Sequence, residues 1–201
     1  MAIIPRNQGA KALATMDLRK SFEFVRYVKA VVKEEFQKIK RETIQEFDEH
    51  VVTREIEGGV NAENISRTLG GRGNLFSFIG FDANANPTLP IRQAFSDMEL
   101  TSTIVRKNGS SESRILYPSR DDIYKITPMP WAEGRSWAEG IEGGMSNLGQ
   151  FLQKPAPQSR SGGGIQSQNQ VSTSQFSTTP YISTILKSLE KRIQELNSSI
   201  I

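Results

Sequence analysis

The chain has 201 residues, 36% of them hydrophobic, and its 25 basic and 22 acidic residues leave a net charge of +3. This length suits one domain with appendages or two small domains, and so balanced a charge does not by itself indicate a nucleic-acid-binding protein. The absence of cysteine excludes disulfides and thiolate metal sites, and with a single histidine a structural zinc site is not expected. No apolar run approaches the roughly 20 residues that cross a bilayer, and no signal peptide is recognisable. We therefore expect no membrane partner and no cofactor.

The chain begins with a predicted arm, residues 1–16, followed by one long amphipathic helix. From Asp17, which suits an N-cap, to about Glu49, apolar residues recur at steps of three and four, which is the α-helical period. The residues of this predicted buried face are Leu18, Phe22, Val25, Val28, Val32, Phe36, Ile39 and Phe47. His50, the only histidine, is expected at the end of this helix and not in a catalytic site.

A glycine-rich segment, Gly70–Asn74, follows in a polar stretch. Glycine loops bind phosphate through backbone N–H groups, but the Gly-Lys-Ser/Thr of a phosphate loop is missing here. The apolar run 75–81 is interpreted as a buried strand, which also argues against a phosphate loop, because such a loop opens a helix. Pro90 favours the first turn of a short helix.

A β-hairpin is the clearest signal in the middle of the chain. Residues 100–107 and 112–117 are rich in β-formers and flank Asn108-Gly109, a dipeptide typical of tight hairpin turns. Residues 123–127 are predicted as a third strand, which the prolines at 128 and 130 would end.

The sequence Trp-Ala-Glu-Gly then occurs twice, at 131–134 and 137–140. Ser136 and Glu139 fit a capping box, which predicts a helix from Ser136 to about Leu152. Its glycines lie at 140, 143, 144 and 149. Because each glycine costs a helix about 1 kcal/mol relative to alanine, this composition favours close packing of another backbone, on the sheet or at an assembly interface.

The C-terminal part of the chain is predicted to form a linker followed by a helix. Residues 153–178 are rich in Ser, Gly, Gln and Pro, as in flexible linkers. The helix predicted over 179–201 would pack back on a core domain of residues 17–152. The resulting fold class is α+β: a small antiparallel or mixed sheet with a β-hairpin, packed by the long N-terminal helix, the glycine-rich helix and the C-terminal helix.

Two groups of residues are candidates for a catalytic or a binding site. Glu133, Glu139 and Glu142 are close enough in sequence for acid–base work in a hydrolase, although capping and a solvated helix face explain them more simply. Interleaved Trp and Arg residues suit base stacking, and the alternative function is therefore a nucleic-acid-binding module. Its groove would be formed by Arg72, Arg135, Arg160, Trp131 and Trp137.

The order of these elements resembles the neck and tail-completion proteins of tailed bacteriophages. In that family a Gly-x-Leu strand follows a long first helix, an aromatic-glycine segment follows the sheet, and a proline-led segment opens the last helix. Gly73–Leu75 and Pro180–Ile182 match these features. The segment 127–137, together with Ser159–Gln166, also resembles virion proteins of contractile-tailed marine phages.

The resemblance implies a structural virion protein at the head–tail junction, without catalytic residues. Such proteins form rings, often hexamers, between the connector or adaptor layer and the tail terminator, near the sheath, and DNA passes through the lumen without specific binding. They reside in the virion, and in the host cytoplasm during assembly. The residues we assign to the interface are Trp131, Arg135, Trp137, Gly140, Gly144, Arg160 and Ile165.

Overall fold

The structure, a computed structural model, describes residues 22–69, 73–105, 111–130, 132–143, 152–153, 165–166 and 178–199. The described helices are α1 (Phe22–Glu49), α2 (Val51–Glu57), α3 (Leu75–Ile79), α4 (Leu89–Ser96), α5 (Arg120–Lys125), α6 (Trp137–Glu142) and α7 (Ile182–Ser199), with a 3-10 turn at Gly59–Asn61. The described strands are β1 (Glu99–Val105), β2 (Ser111–Leu116), β3 (Pro128–Met129), β4 (Ala132–Ser136), β5 (Leu152–Gln153) and β6 (Ile165–Gln166). They pair antiparallel as β1–β2, β3–β4 and β5–β6. The α+β prediction is confirmed.

The chain forms two compact units. Unit 1 comprises the described residues within Met1–Ile39, Glu99–Leu116 and Arg192–Ile201, and unit 2 those within Lys40–Met98 and Tyr117–Lys191. Helices α1 and α7 therefore each contribute residues to both units.

The predicted apolar face of α1 is present from Val28 onward, whereas Val25 is half-buried and the predicted Asp17 and Leu18 lie outside the described residues. The gap in its apolar pattern between Ile39 and Phe47 is filled by Thr43, which is buried. Phe22, predicted to be buried, is instead 81% exposed. Its position matches the helical period, but that period does not reveal where the neighbouring elements stop covering the helix, and the buried positions begin only at Val28.

The predicted hairpin is present in unit 1. Strands β1 and β2 pair in an antiparallel register with an irregularity between Leu100 and Ser102, and the predicted Asn-Gly turn lies outside the described residues. The carboxamide of Asn197 in α7 serves both backbone groups of Ser113: Oδ1 accepts its N–H at 2.9 Å, and Nδ2 donates to its carbonyl at 3.5 Å. A side chain thus satisfies the outer edge of β2 where a neighbouring strand would otherwise pair.

The core of unit 2 contains a series of aromatic rings. Tyr181 lies 6.1 Å from Phe47 and 6.3 Å from Trp137 between ring centroids, and Trp137 meets Phe81 edge-on at 5.8 Å. The Tyr181 hydroxyl hydrogen-bonds to Thr53 Oγ1 at 2.9 Å. Tyr181 therefore anchors the start of α7 in unit 2, because burying an aromatic side chain is one of the larger apolar gains available to a core.

The strand predicted at 75–81 is wrong, because residues 75–79 form α3. Asn74 Oδ1 accepts the N–H of Ser77, as an N-cap does, and Gly80 ends the helix with φ +83°, a left-handed value that favours glycine. The periodicity of a short apolar run does not distinguish a strand from a buried helix. Here the capping residues Asn74 and Gly80 indicate the helix.

The strand predicted at 123–127 is also wrong. Residues 120–125 form α5, which begins with a full capping box between Ser119 and Asp122. Thr127, buried just after the helix, accepts the Trp137 N–H through its carbonyl and binds Ser136 Oγ at 2.7 Å through its hydroxyl. These bonds join the end of α5 to the start of α6.

The glycine-rich helix is shorter than predicted. Ser136 caps it as expected, with Oγ accepting the Glu139 N–H at 3.1 Å, but α6 ends at Glu142 and Leu152 belongs to a strand. Gly143 is the C-cap, and consecutive glycines disfavour extension because each costs helix about 1 kcal/mol. The predicted arm, 1–16, and most of the predicted linker, 153–178, lie outside the described residues.

Candidate functional site

The predicted interface residues divide by position. Trp131, Gly144 and Arg160 lie outside the described residues, as does Arg72, and of Ile165 only its backbone position in β6 is described. The remaining three behave differently from one another: Arg135 is exposed on β4, Gly140 is half-buried in α6, and Trp137 is only 1% exposed. Trp137 thus belongs to the core, as expected for the first residue of an apolar stripe, and its ring faces no surface groove.

The three candidate carboxylates lie in different environments. Glu133 and Glu139 are exposed, whereas Glu142 is half-buried and turned toward the start of α7. Glu142 Oε1 accepts the backbone N–H groups of Tyr181 at 3.0 Å and Ser183 at 2.7 Å, and Oε2 accepts the hydroxyl of Tyr124. These N–H groups need an acceptor at a helix start, so Glu142 acts as a cap supplied from another element.

The hydrogen bonds to Glu142 outweigh its burial. Burial alone would raise the pKa of Glu142, but the bonds from Tyr124, Ser183 and Tyr181 hold the pKa below its ordinary value. For Tyr124, burial and then the hydrogen bond to Glu142 raise the pKa of the hydroxyl far above its ordinary value. The pair is therefore a neutral phenol donating to a carboxylate, which is an arrangement that holds structure and does not activate a nucleophile.

Glu55 is a second structural carboxylate, and no pattern in the sequence indicates its role. Its side chain is fully buried in unit 2. Oε2 accepts the Ser66 N–H and Oε1 the Leu75 N–H, both at 2.8 Å. The second bond places a carboxylate at the start of α3, the position a bound phosphate would take in a phosphate loop. A helix does follow the glycine-rich segment, contrary to our strand prediction, but its N-terminus is occupied by Glu55.

His50 caps α2 from the end of α1. Its Nδ1 accepts the Val52 N–H at 3.3 Å, and its ring also hydrogen-bonds to the backbone of Pro180, which offers only a carbonyl. The imidazole therefore uses one nitrogen as acceptor and the other as donor, which is the neutral form. Burial lowers the pKa of His50, and the Pro180 bond and nearby Glu46 and Glu142 only partly oppose this effect.

A pocket of about 400 Å³ opens in unit 2. Ile56 and Phe76 lie beneath it but are buried, so they present almost no surface to a bound molecule. The complete lining is Ile56, Glu57, Gly59, Phe76, Ala83, Ala85, Asn86, Pro87 and Arg92. The surface that the pocket offers is therefore more polar than apolar, unlike the mainly apolar lining of a typical small-molecule site.

The rim of this pocket carries a charge cluster around Arg92. The guanidinium bonds to Asp48 Oδ1 through Nε and Nη2, each at 2.8 Å, and Nη2 also contacts Glu57 Oε1. The Asp48 bond, more than any other contact, raises the pKa of Arg92. Thr88 donates a further hydrogen bond to Glu57 at 2.8 Å. Two carboxylates facing one guanidinium leave the cluster with one net negative charge.

Unit 1 presents aromatic residues to solvent at the start of α1. Phe22 is 81% and Tyr27 67% exposed, and Arg26 between them is also exposed. By the 3.6-residue period, Arg26 lies about 40° from Phe22 around the helix axis and Tyr27 about 140° from it, so we call Phe22 and Arg26 the α1 face. Aromatic residues and arginine are enriched in protein interfaces and dominate their binding energy, so this face is the strongest candidate for a functional surface. The sequence shows that aromatic and basic residues occur here, but only the structure shows that Phe22 is exposed.

Comparison of the chain with protein-family models, with curated proteins and with solved structures finds no match. Within the described ranges, no helix combines the length and apolar character needed to cross a membrane. The same residues contain no group of three or more His, Asp or Glu side chains arranged to hold a metal ion.

Proposed function

We propose that this chain is a non-enzymatic structural protein of a tailed phage, located at the head–tail junction, and that it joins its neighbours through the α1 face. The placement at the junction derives from the resemblance to neck and tail-completion proteins. The observation that carries an assembly role is the exposure of Phe22, with the exposed Arg26 one helical turn further on the same side of α1. Covering the 81%-exposed Phe22 side chain with a partner surface would remove its apolar area from water, which is favourable.

The use of the acidic residues supports the same proposal. Glu55 and Glu142, the two carboxylates most engaged with backbone N–H groups, each hold a helix start. For Glu142 the hydrogen bonds lower the pKa and so favour the charged form, which suits a fixed cap and not a proton shuttle near neutral pH. Both carboxylates therefore stabilise helix starts, which is the role expected in a structural protein.

Immunogold electron microscopy tests the location. Antibody raised against the chain should label the neck of particles from a phage whose genome encodes this sequence. Mass spectrometry of the purified particles should detect the chain together with the capsid protein, which serves as the positive control. If capsid protein is detected and this chain is not, the proposal is overturned.

Complementation in the same phage tests the surface. A phage lacking the gene should accumulate unjoined heads and tails, and the wild-type gene should restore infectious particles. The Phe22→Ala variant should restore far fewer, whereas Leu116→Ala, which removes a 62%-exposed apolar side chain from β2, should restore as many as wild type. Equal rescue by both variants would exclude the α1 face from assembly.

A further inference from the structure

We infer that one side of α1 in unit 1 binds the phosphate backbone of a nucleic acid duplex. This side is formed by Arg26, Lys29 and Lys33, all of them exposed, and we call these three residues the α1 cation row. By the 3.6-residue period they lie within about 60° of one another around the helix axis. The inference goes beyond the proposed function, because it gives this row a ligand of a different class from a protein neighbour.

The acidic residues in this part of α1 lie on other sides of the helix. Measured around the axis from Lys33, which is central in the row by angle, Glu23 lies at about 80° and Glu34 at about 100°. No ion pair joins the row to another residue in the described ranges, whereas Lys38, on a different side of α1, pairs with Glu35 at 3.8 Å. The row is therefore a positively charged surface without a counter-charge from the described part of the chain.

The α1 cation row does not stabilise the helix that carries it. Like charges three or four positions apart destabilise a helix, and the row contains two such pairs, Arg26 with Lys29 and Lys29 with Lys33. A helix stabilised by its own surface charges alternates their sign, as Glu35 and Lys38 do. A bound anion would offset the repulsion within the row, so the row is better explained by a ligand than by helix stability.

The residue types and the spacing of the row favour phosphate over an acidic protein surface. Two of its three residues are lysines, which are depleted in protein–protein interfaces but are typical contacts to the phosphate backbone. From Arg26 to Lys33 the helix rises about 10.5 Å, and one strand of a duplex presents about three phosphates over that length. The number of cations thus matches the number of phosphates on one strand, and because phosphates carry no base identity, we expect binding without sequence preference.

Fluorescence anisotropy of a labelled DNA duplex of mixed sequence tests the inference with the full chain. The wild-type chain should bind the duplex, and its affinity should be measured between about 50 and about 200 mM salt. Each phosphate contact contributes about −0.9 to the slope of log affinity against log salt concentration. Lys29→Gln and Lys33→Gln should therefore each make the slope less steep by about 0.9. A triple variant with glutamine at all three positions of the row should make it less steep by about 2.7.

Lys38→Gln is the matched control. It removes the same charge from the same helix but lies about 140° from Lys33 around the axis, so it should keep the wild-type slope. The inference is overturned by a wild-type chain that does not bind the duplex at about 50 mM salt, by an unchanged slope in the triple variant, or by an equal change in Lys38→Gln, with each variant shown by circular dichroism to be folded. Binding of poly-glutamate in place of the duplex would also overturn it and would indicate an acidic protein partner.

Phe22→Ala separates this inference from the proposed function. The variant keeps all three cations of the row and should bind the duplex with the wild-type slope, whereas the proposed function predicts that it restores few infectious particles. Loss of duplex binding in the triple variant does not depend on where the chain lies in a particle. Either proposal can therefore fail while the other stands.

Discussion

The Glu142 carboxylate accepts the backbone N–H of Tyr181 at 3.0 Å, across 39 positions of the chain. The same oxygen accepts the Ser183 N–H, so the last residue of α6 caps the first turn of α7. A carboxylate is well placed there because it meets both the free N–H groups and the positive end of the helix dipole.

Removing this cap should destabilise unit 2. Glu142→Ala leaves the N–H groups of Tyr181 and Ser183 and the Tyr124 hydroxyl without their acceptor, and we expect a loss of about 2 kcal/mol in the free energy of unfolding, as for hydrogen bonds to a charged group. Urea titration followed by circular dichroism measures it. The control Glu133→Ala removes an exposed carboxylate and should change stability by less than about 0.5 kcal/mol. Equal effects of the two variants would contradict the capping role.

Glu55→Gln tests the buried carboxylate with almost no change in shape. The amide keeps one acceptor oxygen but presents an NH₂ group to either Ser66 N–H or Leu75 N–H, two groups that now each donate to Glu55 at 2.8 Å. One buried N–H then faces a donor, and we expect a loss of about 2 kcal/mol. Glu63→Gln, an exposed carboxylate in the same segment, is the control and should leave the urea midpoint unchanged.

The sequence predicted those elements whose signals are local and long. The period of α1 extends over many turns, the hairpin strands flank an Asn-Gly dipeptide in the sequence, and α7 follows Pro180 with a clear apolar stripe. The cap of α6 at Ser136 was also predicted, because a capping residue and its N–H partner lie three positions apart.

The two helices that were not predicted are short, and only their capping residues indicate a helix. Both α3 and α5 were predicted as strands because their apolar and β-branched residues are few enough to suit either structure. Asn74 and Gly80 around α3, and Ser119 with Asp122 at α5, mark helix ends that the apolar pattern does not reveal. These capping residues are the sequence features that distinguish both helices from strands.

The contacts of the site residues escape sequence analysis for a different reason. Glu55, Arg92 and Glu142 act through partners that lie 11 to 44 positions away in the chain. No periodicity relates such positions, so only the folded chain shows that they meet. The exposure of Phe22 is similar, because a helix repeats its apolar face whether or not another element covers it.

The single histidine should make stability depend on pH in a defined direction. His50 is neutral in the fold, and burial lowers its pKa below the ordinary value of 6.5. The unfolded chain therefore takes up a proton first as pH falls. The stability that neutral His50 contributes is fully present above pH 6.5 and is lost as pH falls through the folded-state pKa. The midpoint of thermal unfolding should decrease between pH 7.5 and 5.5.

Replacing His50 isolates this effect, because the chain has no other histidine. Asparagine suits the N-cap position through its side-chain oxygen but does not titrate. The His50→Asn variant should therefore lose the pH dependence above the range where carboxylates titrate. A variant that keeps the wild-type slope between pH 7.5 and 5.5 would assign the dependence to other groups.

Asn197 should protect the outer edge of β2. Asn197→Ala removes the acceptor of the Ser113 N–H and the donor to the Ser113 carbonyl, and we expect a loss of about 1 kcal/mol in unfolding free energy. Hydrogen exchange of the Ser113 amide gives a local measurement, and its rate should increase in Asn197→Ala. Asn197→Asp keeps an acceptor oxygen for that N–H, so it should retain most of the protection while losing the bond to the carbonyl. The control Ser198→Ala removes an exposed hydroxyl bonded within α7 and should leave the Ser113 exchange rate as in wild type; faster exchange in the control as well would mean that fraying of the helix end, and not loss of the carboxamide, exposes the edge.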